Sequence, residues 1–317
     1  MSIFPKDRPV HAFLNVHSGW DDSTDCAVQI TNTMEAIGVP VEIHHVGKGM
    51  DIVSAVRQSV QQGAGAVIAG GGDGTLNAVA SGLRDTSVPM ALVPIGTLNH
   101  LARDLGVPLD AQAAIESLSN CRTMNMDLGE VNGRIFLNNS IIGLYPAYAI
   151  ARERFEGKGR AKWIAILAAI YTVFRFNPSF TVRMSVDGTE VVRRTPYILI
   201  ANNEHKMEGY ELGKRMHLDQ GLLWIYVMRR LSRWKLVRLV FSLLSGRFRK
   251  NQEFETFAAS SVEVSTRRKR MGVAIDGDVT RMATPLRYRS LPGALTVVVP
   301  AEAAIQLRAQ AVESAAV

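Results

Sequence analysis

The stretch from Ala66 to Asn77, AVIAGGGDGTLN, holds an apolar run, four glycines, one carboxylate and a threonine. Glycines in such a loop allow backbone N–H groups to approach phosphate oxygens closely. A carboxylate repels phosphate, but Asp73 can hold Mg²⁺, directly or through water, or order an acceptor hydroxyl. The alternative is a plain strand-to-helix turn in which Asp73 caps the helix. The residues of this candidate phosphate loop are Gly71, Gly72, Asp73, Gly74, Thr75 and Asn77.

Two more polar loops follow strands of the same predicted sheet. Asn15, Ser18 and Gly19 come at the end of the first strand, and the segment PIGTLNH follows the fourth. The carboxyl ends of parallel strands meet at one edge of a sheet, where helix N-termini offer free N–H groups to anions. Each loop alone is also typical of an ordinary turn, but together they predict one anion site. The candidates in the later loop are Gly96, Thr97 and Asn99.

The segment VAIDGD, from Val273 to Asp278, predicts a strand that ends in two acids around a glycine. Acids at a strand end can serve as metal ligands or as a general base, and Asp278, Asp276 and Asp73 are the catalytic candidates. The alternative for this segment is an ordinary hairpin turn.

The elements that must position these residues change in type along the chain. The first third alternates short apolar strands with helices, which predicts βαβ units and a parallel, Rossmann-like sheet. After Asp127 strand-like runs dominate, and Asp187-Gly188 lies between two of them as a predicted hairpin turn. We therefore predict an α/β plus all-β fold: an α/β nucleotide-binding domain at 1–127, an antiparallel β-sandwich at 128–299, and a tail at 300–317 that packs back on the first domain.

The strand and helix predictions are specific. The predicted strands of the first domain are Val10–Val16, Val41–Val46, Ala66–Ala69 and Met90–Pro94, and its helices end near Ile37 or span Asp51–Gln62, Thr75–Leu83 and Leu98–Leu105. Two helical insertions, Arg160–Phe176 and Ser232–Gly246, interrupt the strands of the second domain.

The composition of the chain narrows the classes of protein to which it can belong. The chain has 317 residues, is 47% hydrophobic and 21% charged, and carries a formal net charge of +7, which suggests an anionic partner without selecting one. Cys26 and Cys121 have no metal-type or redox-type spacing and are predicted to be reduced thiols. The longest apolar run, Trp163 to Phe174, is too short to span a bilayer. The histidines His44, His45, His205 and His217 show no metal spacing and are assigned to no site.

Three motifs in this order resemble the diacylglycerol kinase catalytic family, which includes bacterial lipid kinases and sphingosine and ceramide kinases. They are GGGDGTLN, PIGTLNHLARDLGVP and DLGEVNGRIFLNNSIIG, and the resemblance covers nearly the whole chain. It implies ATP-dependent phosphorylation of a lipid hydroxyl, a role in lipid metabolism such as phospholipid biosynthesis, and nucleotide bound between an α/β domain and a β-sandwich lipid domain.

The resemblance also assigns residues. The family's N-P-x-S-G matches Asn15 to Gly19, with Val16 in place of proline, and its G-T matches Gly96-Thr97. The Asn-Asp that usually follows is Asn99-His100 here. The D-L-G at the domain junction matches Asp127 to Gly129, which implies a supporting role for Asp127. The family's late D-G-E, whose glutamate is the proposed base, matches Asp276 to Asp278, one methylene shorter at the last position.

A structural metal site of the family matches LDQGLLW less well. Asp219 remains, but Gln220 and Trp224 replace the family's acids. A hard cation prefers charged oxygens, so we expect this second site to be weak or missing.

A basic amphipathic segment suggests a membrane surface as partner. The chain from Tyr226 to Lys250 contains eight Lys and Arg and no acid. A helix there would suit an anionic membrane interface, where each basic residue contributes about 1 kcal/mol; a helix packed on the protein is the alternative. We therefore expect a cytoplasmic protein, peripheral at the inner face of the membrane and without nucleic acid as partner, and a homodimer is left open. The membrane residues are Arg233, Trp234, Lys235, Arg238 and Phe241.

Three functions remain to be weighed on the sequence. The first is a lipid kinase that uses ATP and Mg²⁺ and acts on a diacylglycerol-like or ceramide- or sphingoid-like lipid. The second is a kinase of a soluble substrate, like NAD kinase, with which GGDGT is shared. The third is a nucleotide- or lipid-binding regulatory protein with impaired catalysis, which the departures at Val16, His100 and Asp278 motivate.

Overall fold

The computed structural model describes residues 3–15, 23–47, 49–96, 99–144, 179–208, 211–229 and 254–307. The chain divides into two compact units, and each draws on separate parts of the sequence. The first contains Met1–Leu128, Met216–Gln220 and Leu291–Val317, and the second contains Gly129–Arg215 and Gly221–Ser290. Sequence reasoning placed one boundary at Asp127, whereas two later segments also belong with the first unit.

The first unit is an α/β structure around a parallel sheet. Its elements are β1 (Val10–Asn15), α1 (Ser23–Ala36), β2 (Val41–Val46), α2 (Ile52–Gln61), β3 (Ala66–Gly71), α3 (Asp73–Leu83), β4 (Met90–Pro94), α4 (His100–Asp104) and α5 (Ala111–Ser117). The strand order is β2-β1-β3-β4, all parallel. The predicted βαβ arrangement is confirmed.

Burial explains why this sheet forms. The central strands β1, β3 and β4 are apolar and buried on both faces, as is typical of parallel sheets. One face packs with α1 and α5 in a core that includes Ile30, Met34 and Ile115. Two helices begin at aspartate caps: Asp51 accepts from the amide of Ser54 at 3.1 Å, and Asp110 from that of Ala113 at 2.9 Å.

The second unit is an antiparallel β-sandwich, as predicted. The remaining strands are β5 (Cys121–Val131), β6 (Arg134–Phe136), β7 (Asn139–Gly143), β8 (Phe180–Val186), β9 (Thr189–Thr195), β10 (Tyr197–Asn202), β11 (His205–Glu208), β12 (Glu211–Arg215), β13 (Leu223–Met228), β14 (Phe254–Ala259), β15 (Ser261–Thr266), β16 (Arg270–Ile275), β17 (Asp278–Ala283) and β18 (Leu286–Pro300). One sheet has the order β14-β13-β10-β7-β16-β17. In the other, β15 pairs with β8 and with the first half of β18. Side chains of both sheets share one core.

Several element boundaries differ from the sequence predictions. The helix predicted from Thr75 begins two residues earlier, at Asp73. Pro196, which has no N–H to donate, separates β9 from β10. Ser260 separates β14 from β15, and these two strands belong to different sheets. The hairpin at Asp187-Gly188 is confirmed, with φ values of 42° and 87°. Both predicted helical insertions lie outside the described residues.

The two thiols and the tail complete the first unit. Cys26 and Cys121 are free and buried, and burial raises the pKa of each thiol to about 11. Residues 301–307 are helical, and a side chain added at Gly106 would lie 2.8 Å from Cβ of Ala303. Over the part of the chain that the structure describes, no helix is both long and apolar enough to cross a bilayer.

Asp127 ties together the three chain segments of the first unit. Its backbone N–H donates to the carbonyl of Leu218 at 2.8 Å, and its buried carboxylate accepts from the N–H of Gly293 at 2.8 Å. Leu218 and Gly293 belong to the two later segments that join this unit. The supporting residue proposed from the sequence therefore has a structural contact that accounts for it.

Replacing Asp127 by alanine should lower the free energy of unfolding by about 2 kcal/mol, the usual cost of losing a hydrogen bond to a charged group. Urea unfolding followed by circular dichroism measures this. Asp219→Ala, a change at an exposed carboxylate, should stay within about 0.5 kcal/mol of the parent protein. Equal unfolding of the two variants would contradict the role assigned to Asp127.

Candidate functional site

Helix α3 begins within the candidate phosphate loop. Its N-cap is Gly72, which has no side chain to satisfy the free N–H groups. The amides of Thr75 and Leu76 both bond to the carbonyl of Gly72, at 2.9 and 3.1 Å. The amides of Asp73 and Gly74 therefore precede the first intrahelical bonds of an eleven-residue helix. They lie at its positive end, where phosphate or carboxylate oxygens bind.

Asp73 does not cap this helix, so the plain-turn interpretation of its carboxylate is wrong. It is the first helical residue, and no side-chain hydrogen bond caps the helix. Its Oδ1 is buried and has no hydrogen-bond partner among the described residues. A buried carboxylate oxygen without a partner costs free energy unless a cation, water or ligand satisfies it. Asp73 therefore fits the metal- or hydroxyl-ordering role that the sequence suggested.

The loops after the first and third strands meet. Nδ2 of Asn15, the last residue of β1, donates to Oγ1 of Thr75 at 3.0 Å. Thr75 is buried, and as an acceptor in this bond it keeps its own hydroxyl proton for donation. Ser18 and Gly19, the other candidates of the first loop, lie outside the described residues.

Close packing requires two of the candidate glycines. A Cβ at Gly71 would lie 2.6 Å from the side chain of Thr75, and one at Gly96 would lie 2.5 Å from Cα of Gly72. The loops after β3 and β4 thus approach backbone to backbone. Gly74 is different, because a Cβ there would meet no atom of the described residues within 4 Å. This position at a helix N-terminus makes Gly74 the glycine best placed for the approach of a ligand.

Asn99 shapes the loop after β4. It adopts a left-handed conformation with φ of 48° at the N-cap of α4. Its Nδ2 donates to the carbonyl of Gly96 at 2.7 Å, and its buried Oδ1 has no partner within the described part of the chain.

The neighbouring candidate Thr97 lies outside the described residues. His100, where the family has aspartate, is exposed. Asn77 lies within α3, near the hydroxyl of Ser81 at 3.4 Å.

The segment VAIDGD forms the hairpin that was the alternative interpretation. Asp276 and Gly277 have φ values of 45° and 96°, and Ile275 pairs with Asp278 across this two-residue turn. The carboxylate of Asp276 accepts three backbone N–H groups, from Leu137 at 2.7 Å, Asn138 at 2.8 Å and Asn139 at 3.0 Å. Asp278 begins β17 and is exposed. Asp276 is therefore committed to the backbone, and Asp278 is accessible to solvent.

A buried polar network surrounds the backbone that Asp276 holds. Arg215 donates to Oδ1 of Asn138 at 2.7 Å, and Nδ2 of Asn202 donates to the carbonyl of Leu137 at 3.0 Å. Asn138, Asn202 and Arg215 are all buried. Sequence reasoning did not single out these residues. Their signal was the Asn-Asn pairs in FLNNS and IANNE, where consecutive polar residues end or begin apolar strands.

The remaining predicted site residues are Asp219 and the membrane residues. Asp219 is exposed, and it belongs to no group of three or more His, Cys, Asp or Glu ligands in the described ranges. Arg233, Trp234, Lys235, Arg238 and Phe241, the predicted membrane residues, lie outside the described residues.

Family models match both units. Residues 9–131 match the diacylglycerol kinase catalytic domain, and residues 149–299 match the YegS C-terminal NAD kinase beta sandwich-like domain. The Probable lipid kinase YegS-like protein of Pseudomonas syringae pv. syringae (strain B728a) is 28% identical over 270 residues, covering 84% of this chain and 86% of that protein. The diacylglycerol kinase of Bacillus subtilis (strain 168) is 25% identical over 287 residues, covering 88% and 92%.

A solved structure shares the fold. The crystal structure of a diacylglycerol kinase from Bacillus anthracis str. Sterne aligns with a TM-score of 0.68 at 19% identity, over 93% of this chain and 98% of that one. The domain matches and the named relatives together identify the chain as a phosphotransferase. Within it, residues 9–131 form a diacylglycerol kinase catalytic domain, and residues 149–299 form a sandwich domain of the YegS type.

The contacts of Gly96 and Gly74 predict opposite outcomes for the same substitution. Gly96→Ala should lower the free energy of unfolding by about 1–3 kcal/mol, because the new methyl group meets the backbone of Gly72, which cannot move aside. Gly74→Ala should stabilise the protein by up to about 1 kcal/mol, because alanine favours a helix and its Cβ would meet no atom of the described residues within 4 Å. Urea unfolding of both variants checks this. A destabilised Gly74→Ala would show that the space is filled.

Proposed function

We propose that the protein is a lipid kinase that transfers the γ-phosphate of ATP to a hydroxyl of a diacylglycerol-like or a ceramide- or sphingoid-like lipid. The observation that carries the proposal is the N-terminus of α3, where neither the first amides nor the buried oxygen of Asp73 has a side-chain partner among the described residues. The match of residues 9–131 to the diacylglycerol kinase catalytic domain supports the reaction class.

The first unit supplies the binding groups of the proposed reaction. The amides of Asp73 and Gly74 and the hydroxyl of Thr75 donate to phosphate oxygens at the positive end of α3. Asn15 holds the hydroxyl of Thr75 in place through the bond between them. Asp73 is the residue that would hold Mg²⁺, directly or through water. Such an ion neutralises charge on the transferred phosphoryl group when bound.

The second unit supplies the proposed base. Asp278 accepts the proton of the lipid hydroxyl as the hydroxyl attacks the γ-phosphate. Asp276, whose carboxylate is bonded to three amides, fixes the turn that presents Asp278. We therefore assign a positioning role to Asp276 rather than a direct chemical one.

We further propose that the protein acts at an anionic membrane surface. The support is the density of Lys and Arg between Tyr226 and Lys250 and the net charge of +7. A lipid acceptor with two acyl chains stays in the bilayer, so an enzyme that phosphorylates it must reach the headgroup at the interface. Peripheral binding at the inner face of the membrane satisfies this need.

The reaction is tested with γ-labelled ATP, Mg²⁺ and mixed micelles that each contain one lipid class, followed by mass spectrometry of the product. We expect a phosphorylated lipid from at least one class. Phosphorylation of NAD with no labelled lipid would contradict the proposal. Binding of ATP without turnover on any lipid in the panel would favour a regulatory protein instead.

Variants of Asp278 test the base. Asp278→Asn should lower kcat by about 100-fold or more, because the amide cannot accept the proton. Asp278→Glu, which restores the family's residue, should keep most of the activity. Since Asp278 is exposed, both variants should unfold like the parent within about 0.5 kcal/mol. Full activity of Asp278→Asn would remove it from the mechanism.

Asp276→Asn separates positioning from proton transfer. The amide group would turn one N–H toward a backbone donor of Leu137–Asn139, so the free energy of unfolding should fall by about 1.5–3 kcal/mol. Unfolding in urea measures this change in free energy. Asp278→Asn is the control, because it removes the same charge from an exposed carboxylate. A stable Asp276→Asn would mean that these three bonds contribute little.

A further inference from the structure

Three metal-type ligands lie side by side on the first two strands of the parallel sheet. His11 on β1 pairs in register with Glu42 on β2, and His44 lies two residues after Glu42, on the same face. Nδ1 of His11 is 2.9 Å from Nε2 of His44 and 3.6 Å from Oε2 of Glu42. The three donor atoms all lie within 4.8 Å of one another.

His11 is the buried member of the group. Its side chain is 2% exposed, and its Nδ1 is the ring nitrogen that lies beside Glu42 and His44. Its Nε2 is also buried and has no partner among the described residues. A neutral imidazole binds a metal through the lone pair of one ring nitrogen, and Nδ1 of His11 is the nitrogen that faces the other two ligands.

His44 is held in place to complete the group. Its ring stacks on the ring of Phe13, with centroids 4.6 Å apart and planes at 13°. The planes of His11 and His44 differ by 11°. Two imidazoles and a carboxylate are thus oriented on a rigid sheet rather than on a loop.

We infer that His11, Glu42 and His44 form a binding site for a divalent transition-metal ion of the Zn²⁺ type. Imidazole nitrogen suits Zn²⁺, Ni²⁺, Co²⁺ and Cu²⁺, whereas Mg²⁺ and Ca²⁺ prefer sets of oxygens. Two histidines and one carboxylate are a ligand set found in zinc sites, with the remaining position taken by water. β2 lies at the end of the strand order, and the side chain of Glu42 is 59% exposed, so an ion can enter from solvent.

The site is distinct from the proposed phosphate site. His11 lies four residues before Asn15 on the same strand, which is about 13 Å at the rise of an extended chain. The inference therefore does not depend on the kinase proposal, and its test needs no measurement of activity.

A proton shared between the rings of His11 and His44 competes with a metal ion for the same nitrogen lone pairs. At 2.9 Å the two ring nitrogens make an N–H···N hydrogen bond, which occupies one of the two lone pairs. A metal ion needs both lone pairs, so the shared proton must move to the outer nitrogen of one ring. His44 is only partly buried, and its outer nitrogen can bond to water.

Titration calorimetry with ZnCl₂, on full-length protein freed of any affinity tag and treated with EDTA, tests the site. We expect binding of one ion per chain and a rise in the thermal unfolding temperature, because a ligand of the folded state stabilises it. Co²⁺ in place of Zn²⁺ should give the visible absorption of a protein-bound ion. No heat of binding and no thermal shift would overturn the proposal, leaving a hydrogen-bonded histidine pair.

Variants separate this site from adventitious binding. Glu42→Gln and His44→Gln should each weaken Zn²⁺ binding by about tenfold or more, and both side chains are exposed enough to leave folding intact. His45→Gln is the matched control, because His45 is exposed on the opposite face of the same strand. It should bind as the parent does. Equal loss in His44→Gln and His45→Gln, or no loss in either, would overturn the assignment.

Discussion

The close approach of the backbones of Gly72 and Gly96 is the constraint on which the candidate site depends. A side chain at Gly96 would lie 2.5 Å from Cα of Gly72, so the ends of β3 and β4 can come together only while that position is glycine. At the same place Gly72, the N-cap of α3, has no side chain, and Nδ2 of Asn99 donates to the carbonyl of Gly96. Packing therefore requires glycine at position 96. The anion site that we propose uses instead the helix N-terminus and Gly74, where a Cβ would meet no described atom within 4 Å.

In the second unit, hairpin turns supply side chains that fix other parts of the chain. Its turns at Asn132-Gly133, Asp187-Gly188 and Asp276-Gly277 all have positive φ at both residues. Each leading side chain then bonds to a distant strand or loop: Asn132 accepts from the amide of Arg287, Asp187 accepts from Ser260 and Ser261, and Asp276 accepts from residues 137–139. Asx-Gly is the preferred sequence of such turns for local steric reasons, yet here the Asx side chain also serves long-range structure. An Asx-Gly segment can therefore form a hairpin and at the same time supply a side chain that fixes another part of the chain.

The fold was predictable because its signals are local. Buried strands separated by helices indicate a parallel sheet, and Asp187-Gly188 indicates a hairpin, without knowledge of distant residues. The start of α3 was placed two residues late, because the extended conformation of Gly72 that sets the N-cap is invisible in the sequence. The hydrogen bond between Asp276 and Leu137 joins residues that are 139 positions apart, and the proximity of His11 to His44 depends on the register between β1 and β2. The spacing of residues along the chain shows neither contact. It therefore indicates neither the group around His11 nor the role of the Asn-Asn pairs.

The carboxylates of the motifs can be divided by what already satisfies them. Asp127 and Asp276 accept backbone N–H groups, which hold both carboxylates in position. A carboxylate held in this way stabilises structure and cannot turn toward a substrate without losing those bonds. Asp73 has a buried oxygen with no protein partner in the described residues, which makes it suited to hold a cation. Asp278 is exposed at the start of β17, where solvent reaches its carboxylate. The division of labour that we propose for the four acids rests on these hydrogen bonds, which sequence motifs alone do not show.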